Sequence, residues 1–139
     1  MRLAVLALLV LILAPVASWA ETSAADQARF QEIISRQISA FQADDGATAF
    51  GFASPDLKAK FGSAAVFMEM VKTGYAPVYR PRSVEFRAVV EHDTGPEQQV
   101  FVIGPDGRGY IAHYMMERQP DGSWLISGCY LERAQDESV

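Results

Sequence analysis

The first hydrophobic feature is an unbroken apolar run from Leu3 to Ala14, preceded by Met1-Arg2 and followed by Pro15-Val16-Ala17-Ser18-Trp19-Ala20 and the polar Glu21-Thr22-Ser23. A basic start, a short apolar stretch and the small-x-small ending Ser18-Trp19-Ala20 predict a secretory signal peptide over residues 1–20. The run of 12 residues is short of the roughly 20 that a membrane-spanning helix needs. Export across the inner membrane to the periplasm is therefore expected, with no stable membrane insertion after cleavage and a single domain over residues 21–139.

Beyond the leader the apolar spacing becomes helical. Ala28, Phe30, Ile33, Ile34, Ile38 and Phe41 form one stripe, and Arg29, Gln31, Glu32, Ser35, Arg36, Gln37 and Gln42 form the solvated face. Ser23 is placed to cap this helix, with Asp26 at the capping-box position as a shorter substitute for Glu. Asp44-Asp45-Gly46 ends it, and Ala47 to Ala53 predicts a short turn with Phe50 and Phe52 inward. Ser54-Pro55-Asp56 starts a helix that carries Leu57 and Phe61 and stops at Gly62. Ser63 starts another through Ala64, Phe67, Met68 and Val71, with Gly74 as its left-handed stop. Pro77 and Pro81 predict an extended crossing from Tyr75 to Pro81.

The period then switches from 3.6 to 2. Val84, Phe86, Ala88 and Val90 alternate with Glu85, Arg87, Val89 and Glu91, and Gln99 to Ile103 is apolar on both sides. Hairpin turns at Pro105-Asp106-Gly107-Arg108-Gly109 and Pro120-Asp121-Gly122 lead into strands from Tyr110 to about Arg118 and from Trp124 to Leu131. Helices first and strands afterwards predict an α+β fold, with N-terminal helices on one face of a curved four-stranded antiparallel sheet. The second strand's lack of a polar face points to a cover on the other side: a second subunit, giving a homodimer through the sheet, or a folded-back C-terminal tail.

The chain resembles the cone-shaped NTF2-like (cystatin-like) superfamily in its long amphipathic helix, short helices and sheet ending in Gly122-Ser123-Trp124-Leu125-Ile126. More narrowly it is similar to the DUF4864 family of exported bacterial domains. That similarity is carried by Ile38-Ser39-Ala40-Phe41-Gln42-Ala43-Asp44-Asp45, Phe52-Ala53-Ser54-Pro55, Phe61-Gly62, Tyr75-Ala76-Pro77-Val78-Tyr79-Arg80-Pro81 and Gly128-Cys129-Tyr130-Leu131. The resemblance implies the cone fold and no particular activity, since the wider fold hosts isomerases, hydrolases, transport adaptors and structural modules.

Charge narrows the partners. Without Arg2 the remaining chain has 11 basic against 17 acidic residues, which excludes a nucleic-acid groove or an anionic membrane surface, both of which need a basic footprint. Cys129 is the only cysteine, so no intramolecular disulfide forms, and it is expected as a buried, inert thiol.

Enzymes of a cone fold hold an ionisable side chain among apolar walls, where burial tunes it. Strand residues Trp124, Ile126, Gly128 and Tyr130 share a face without an acid or base of suitable pKa. The third strand offers two faces: Tyr110, Ala112, Tyr114, Met116, or Ile111, His113, Met115, Glu117. If the second points inward, His113 is the candidate general base of a small-molecule isomerase or hydrolase. Glu117, about 13 Å along the strand, is out of its reach. Its candidate partners are Tyr75, Tyr79 or Asp45, although Asp45 also suits a helix cap.

Tyr75, Tyr79, Arg80 and Arg82, with Tyr114, are the candidate ligand-binding residues, able to hold an anionic or carboxylate-bearing molecule by guanidinium and ring contacts. The alternative for that segment is a linker whose tyrosines pack on the helices. The spacing of His92-Asp93, His113 and Cys129 supports no metal site, and no motif implies a cofactor. The expected function is non-catalytic binding of a small molecule or of another envelope protein, with the His113 enzyme as the alternative.

Overall fold

The structure, a computed structural model, describes residues 21–135; the expected signal peptide over residues 1–20 lies outside the described residues. Helix α1 (Ala24–Gln42) starts with the capping box: the Ser23 hydroxyl accepts from the Asp26 amide at 3.0 Å, and the Asp26 carboxylate accepts from the Ser23 amide at 3.4 Å. Two amide donors that a helix start leaves free are thereby satisfied. The same carboxylate accepts from the Trp124 indole at 3.1 Å, and Phe30 meets the Trp124 ring edge-on at 4.8 Å. The first turn of the chain is thus tied to the last strand. Phe30 is wholly buried, and burying a side chain of this kind contributes about 1.5–3 kcal/mol.

Two positions on α1 depart from the helical stripe. Ala28 is exposed, and Gln37, expected on the solvated face, is buried with its amide donating to the Ala49 carbonyl at 3.3 Å. That bond seats α1 on α2 (Gly46–Gly51), which Asp45 caps by accepting from the Thr48 amide at 3.1 Å. Gly46 permits α4 to come close, because a Cβ there would stand 2.7 Å from Met68 Cγ. Helix α3 (Pro55–Phe61) has its Ser54 cap and ends at Gly62 with φ of 79°, as its sequence predicts. Helix α4 (Ala64–Gly74) has its Ser63 cap, but Gly74 is not left-handed, and the helix closes at Tyr75 with φ of −132°.

The extended crossing expected from Tyr75 to Pro81 is instead a four-residue helix, α5 (Ala76–Tyr79). Pro77 lies in its first turn, where a missing amide costs nothing, so proline initiates the helix here and does not forbid one.

Strands β1 (Ser83–His92), β2 (Gly95–Ile103), β3 (Gly109–Arg118) and β4 (Trp124–Arg133) form an antiparallel sheet in the order β1-β2-β3-β4. The helices cover one face of this curved, open sheet, which is the predicted α+β architecture. Strand β2 begins four residues earlier than its apolar run suggests, because the polar Glu97-Gln98-Gln99 pairs with β3 as regularly as the apolar part does.

Two bulges reset the alternation. In β1 the register shifts between Phe86 and Val89, so Val84, Phe86 and Val89 face the helices and Val90 faces away. The Gln98 amide donates to the Arg87 carbonyl of this bulge at 2.9 Å. In β4, Met115 pairs with Gly128 and Met116 with Ile126, leaving Ser127 as the extra residue. Trp124 and Ile126 before it, and Cys129 and Leu131 after it, therefore all pack against the core. The expected shared face of Trp124, Ile126, Gly128 and Tyr130 is broken at that point. Tyr130 turns outward and is 51% exposed.

The connection from α2 to α3 also pairs with β4: the Ile126 amide donates to the Phe52 carbonyl and the Ser54 amide to the Ile126 carbonyl, both at 2.8 Å. This short parallel bridge fixes where α3 starts. It leaves α3 lying beside the bulged part of the sheet with no fully buried side chain of its own.

Candidate functional site

Between the helices and the bulged half of the sheet lies a cavity of about 400 Å³. Its walls come from α1, α3, α4, α5, β3 and β4, with Phe41, Phe67, Val71 and Val78 supplying apolar surface. The bulge contributes Ile126, Ser127, Gly128 and Cys129, and α3 contributes Leu57, Lys60 and Phe61. Pockets of about 300–1,000 Å³ with apolar walls and a few polar groups are the usual form of a small-molecule site.

The polar groups of this wall are few. Tyr114 on β3 is 1% exposed, and its hydroxyl abuts the Cys129 thiol, a weak sulfur partner, and meets no oxygen or nitrogen partner. Burial pushes that phenol well above its ordinary pKa, and burial likewise pushes the Cys129 thiol up to about 12. Cys129 is therefore a protonated thiol at neutral pH and a poor nucleophile. Tyr75 also lines the cavity, and its hydroxyl donates to the Cys129 carbonyl at 2.9 Å, across the bulge. Burial raises its pKa too. No carboxylate and no imidazole is among the lining residues.

His113, the candidate base, is on the other face of the sheet. Since Tyr114 packs into the core, its neighbour on the strand must point away from the helices. The premise of an enzyme with His113 inside the cavity is not met. The residue is nevertheless only 6% exposed, because polar neighbours enclose it. Its Nδ1 lies 3.0 Å from Glu97 Oε2 and its Nε2 lies 2.9 Å from Glu132 Oε2, and the Tyr130 ring stacks on it at 4.2 Å.

Glu97 is 3% exposed and also accepts from the Gln99 amide at 2.9 Å, with His92 Nε2 at 3.3 Å from its other oxygen. Burial opposes ionisation of Glu97, but the bonds from His113, Gln99 and His92 outweigh it and hold the carboxyl below its ordinary range. Each ring nitrogen of His113 thus faces a carboxylate oxygen, one from β2 and one from β4. This cluster stabilises charge in place. Among the described residues no group of three His, Cys, Asp or Glu is arranged to hold a metal ion.

The candidate ligand-binding segment separates into different jobs. Tyr75 and Tyr114 meet at the cavity, as described. Tyr79 and Arg80 serve the end of α1: the Tyr79 hydroxyl donates to Asp44, Arg80 donates to the Phe41 carbonyl at 2.5 Å and to Asp44 at 3.1 Å, and the two side chains stack at 4.1 Å. Asp44, at φ of 52°, is the left-handed residue after the helix, and these bonds satisfy that turn. The bond from Tyr79 holds the Asp44 carboxyl below its ordinary range. Arg82 donates to the Pro105 carbonyl at 2.7 Å. Asp45 is occupied as the α2 cap, and neither it nor the tyrosines reach His113.

Sequence reasoning missed Glu97 and Glu132 as the partners of His113, and Leu57, Lys60 and Gln37 as cavity residues. The strand pairing holds the missing signal for the first two. Gln99 pairs with His113, which brings Glu97 to the diagonal position on the same face, where long side chains still meet.

A group whose carboxyl is depressed on folding contributes stability in full above the ordinary carboxylate range and loses it as pH falls through the depressed value. Glu97→Gln is expected to cost about 1–3 kcal/mol at neutral pH, the range for hydrogen bonds to charged groups. The gap between variant and parent in urea denaturation should narrow as the pH falls below the ordinary carboxylate range and through the depressed value of Glu97. A gap that stays constant with pH would mean that the bonds do not depend on an ionised Glu97.

Comparison with known proteins follows the same outline. No curated protein and no solved structure matches the chain. The family described as Domain of unknown function (DUF4864) matches residues 23–139, from the α1 cap to the end of the sequence. The match takes in the helices, the bulged sheet and every residue of both clusters, and the chain therefore belongs to the DUF4864 family.

Proposed function

We propose that this chain is an exported binding domain that holds a small, largely apolar molecule in the cavity between its helices and its sheet, without transforming it. The observation that carries the reading is the apolar-walled cavity of about 400 Å³, with the Tyr114 hydroxyl at its wall meeting nothing stronger than the Cys129 thiol. Leaving a buried hydroxyl without a good acceptor costs up to about 1–3 kcal/mol, and a bound molecule with an acceptor oxygen would return part of that cost. The lining supports binding over catalysis, since besides the exposed Lys60 at the rim its ionisable side chains are two phenols and a thiol that are all protonated at neutral pH. Export rests on the leader over residues 1–20. The finer kinship to the NTF2-like superfamily is supported by the order of helices then curved sheet around a cavity.

A second reading concerns the outer face of the sheet. Phe101, Ile103, Ile111 and Met115 are half-buried there with no helix over them, which favours self-association through this face. The Arg87 guanidinium lies 4.8 Å from the Phe101 ring and shields part of the row. Sedimentation at about 50 μM should show a dimer, a concentration chosen to reveal contacts of ordinary affinity. A monomer there removes this reading and leaves the cavity reading intact.

The cavity reading is tested with Tyr114→Phe. Removal of a buried hydroxyl whose one polar neighbour is a thiol should raise the stability of the ligand-free protein by up to about 1 kcal/mol. The same change should weaken 2-octanone, followed through the methyl resonances of Leu57, Val71 and Val78, by about tenfold. A variant that loses more than about 1 kcal/mol would show that the hydroxyl is already bonded. Methyl resonances that do not respond to 2-octanone would overturn the binding site.

A further inference from the structure

The charge at the rim of the cavity narrows the ligand further, and this step rests on the cavity reading above. Among the lining residues the only ionised side chain is Lys60, carried on α3. The chain as a whole has 17 acidic against 12 basic residues, yet no carboxylate lines this cavity. None of the ion pairs among the described residues engages Lys60. Its ammonium stands 5.8 Å from the centre of the Phe61 ring, another lining residue, while the residue itself is exposed. An exposed ammonium on a four-carbon stem can follow a ligand's head while the stem lies along apolar wall.

We infer that the ligand is a single-headed apolar anion, a monocarboxylate whose body fills the cavity and carries one acceptor oxygen for Tyr114, and whose carboxylate head pairs with Lys60 at the rim. The cavity lies toward the small end of ligand pockets, which suits one medium-length chain and excludes a two-chain lipid. The cation stands on the α3 wall. This helix supplies Leu57, Lys60 and Phe61 to the lining, and the Phe61 ring meets the buried Phe67 edge-on at 5.5 Å. The same helix therefore supplies apolar wall and brings the cation to the head.

A cationic or uncharged molecule of the same shape loses the Lys60 contact, so the site discriminates by charge as well as by shape. The preference is modest, because a partly exposed ion pair in water is worth little and is weakened further by salt.

The test compares decanoate with decanol on the full exported protein by calorimetric titration, at a pH of about 8 so that the acid is ionised. At about 20 mM ionic strength decanoate should bind roughly three to five times more tightly than decanol, the effect of one partly exposed ion pair. Added sodium chloride should shrink that ratio, and Lys60→Met should bring it to about one. Lys60 is exposed, so the variant is expected to keep the parent's melting temperature. Decanol bound as tightly as decanoate by the parent protein would overturn the charge inference and leave the cavity as an uncharged site. Failure of both probes would overturn the cavity reading and this inference with it.

Discussion

One extra residue in the last strand governs the architecture. Without the bulge at Ser127, strict alternation would carry Trp124, Ile126, Gly128 and Tyr130 to the helices and leave Cys129 and Leu131 in solvent. With it, both halves of β4 present their larger apolar residues to the core, and the strand bends at the change of phase. The bend is held from two sides. The Phe52–Ser54 connection pairs with Ile126, and the Tyr75 hydroxyl reaches the Cys129 carbonyl. Interiors of proteins are close-packed, so a sheet that departs from its neighbours at one point leaves space unless a side chain fills it. Here the residues at the bulge line the cavity.

The two faces of the sheet solve the problem of buried polar groups in opposite ways. On the outer face His113 and Glu97 are almost fully enclosed, and the hydrogen-bonding groups of the pair are met by Gln99, Glu132 and His92. Such a network stabilises a strand register and has little left to offer a substrate. On the inner face Tyr114 is equally enclosed, and its hydroxyl meets only the Cys129 thiol, while its strand partner Gln98 has its side-chain oxygen unpaired. A native interior rarely tolerates such groups, and each calls for a physical reason. For Tyr114, which lines the cavity, the reason offered here is a ligand.

Much of the fold was legible because local signals agreed with one another. Ser23, Asp45, Ser54 and Ser63 each cap the helix that their sequence announces, and the turns at Gly107 and Gly122 separate strands where expected. The strand misreadings share one cause, which is that periodicity assumes an uninterrupted element. The bulges after Phe86 and at Ser127 shift the phase by one, which no count of alternating residues reveals. Pro77 was read as a breaker because its place in a first turn depends on where the preceding helix ends. The site was harder still. His113 and Tyr114 are adjacent, so sequence could nominate both but could not choose the face, and their environments come from residues sixteen or more positions away, such as Glu97 and Glu132. Lys60 and Leu57 carry no signal of a site until α3 is placed over the cavity.

The central claim is that the cavity is a binding site and not a packing defect. Native mass spectrometry of the full chain, purified from cells that express it, tests this most directly. The account predicts a protein peak with a noncovalent mass of a few hundred daltons, within the usual range for a pocket of this size, lost when the protein is denatured and reduced in Tyr114→Phe. A bare protein mass in repeated preparations, unchanged when apolar carboxylates are supplied, would contradict it.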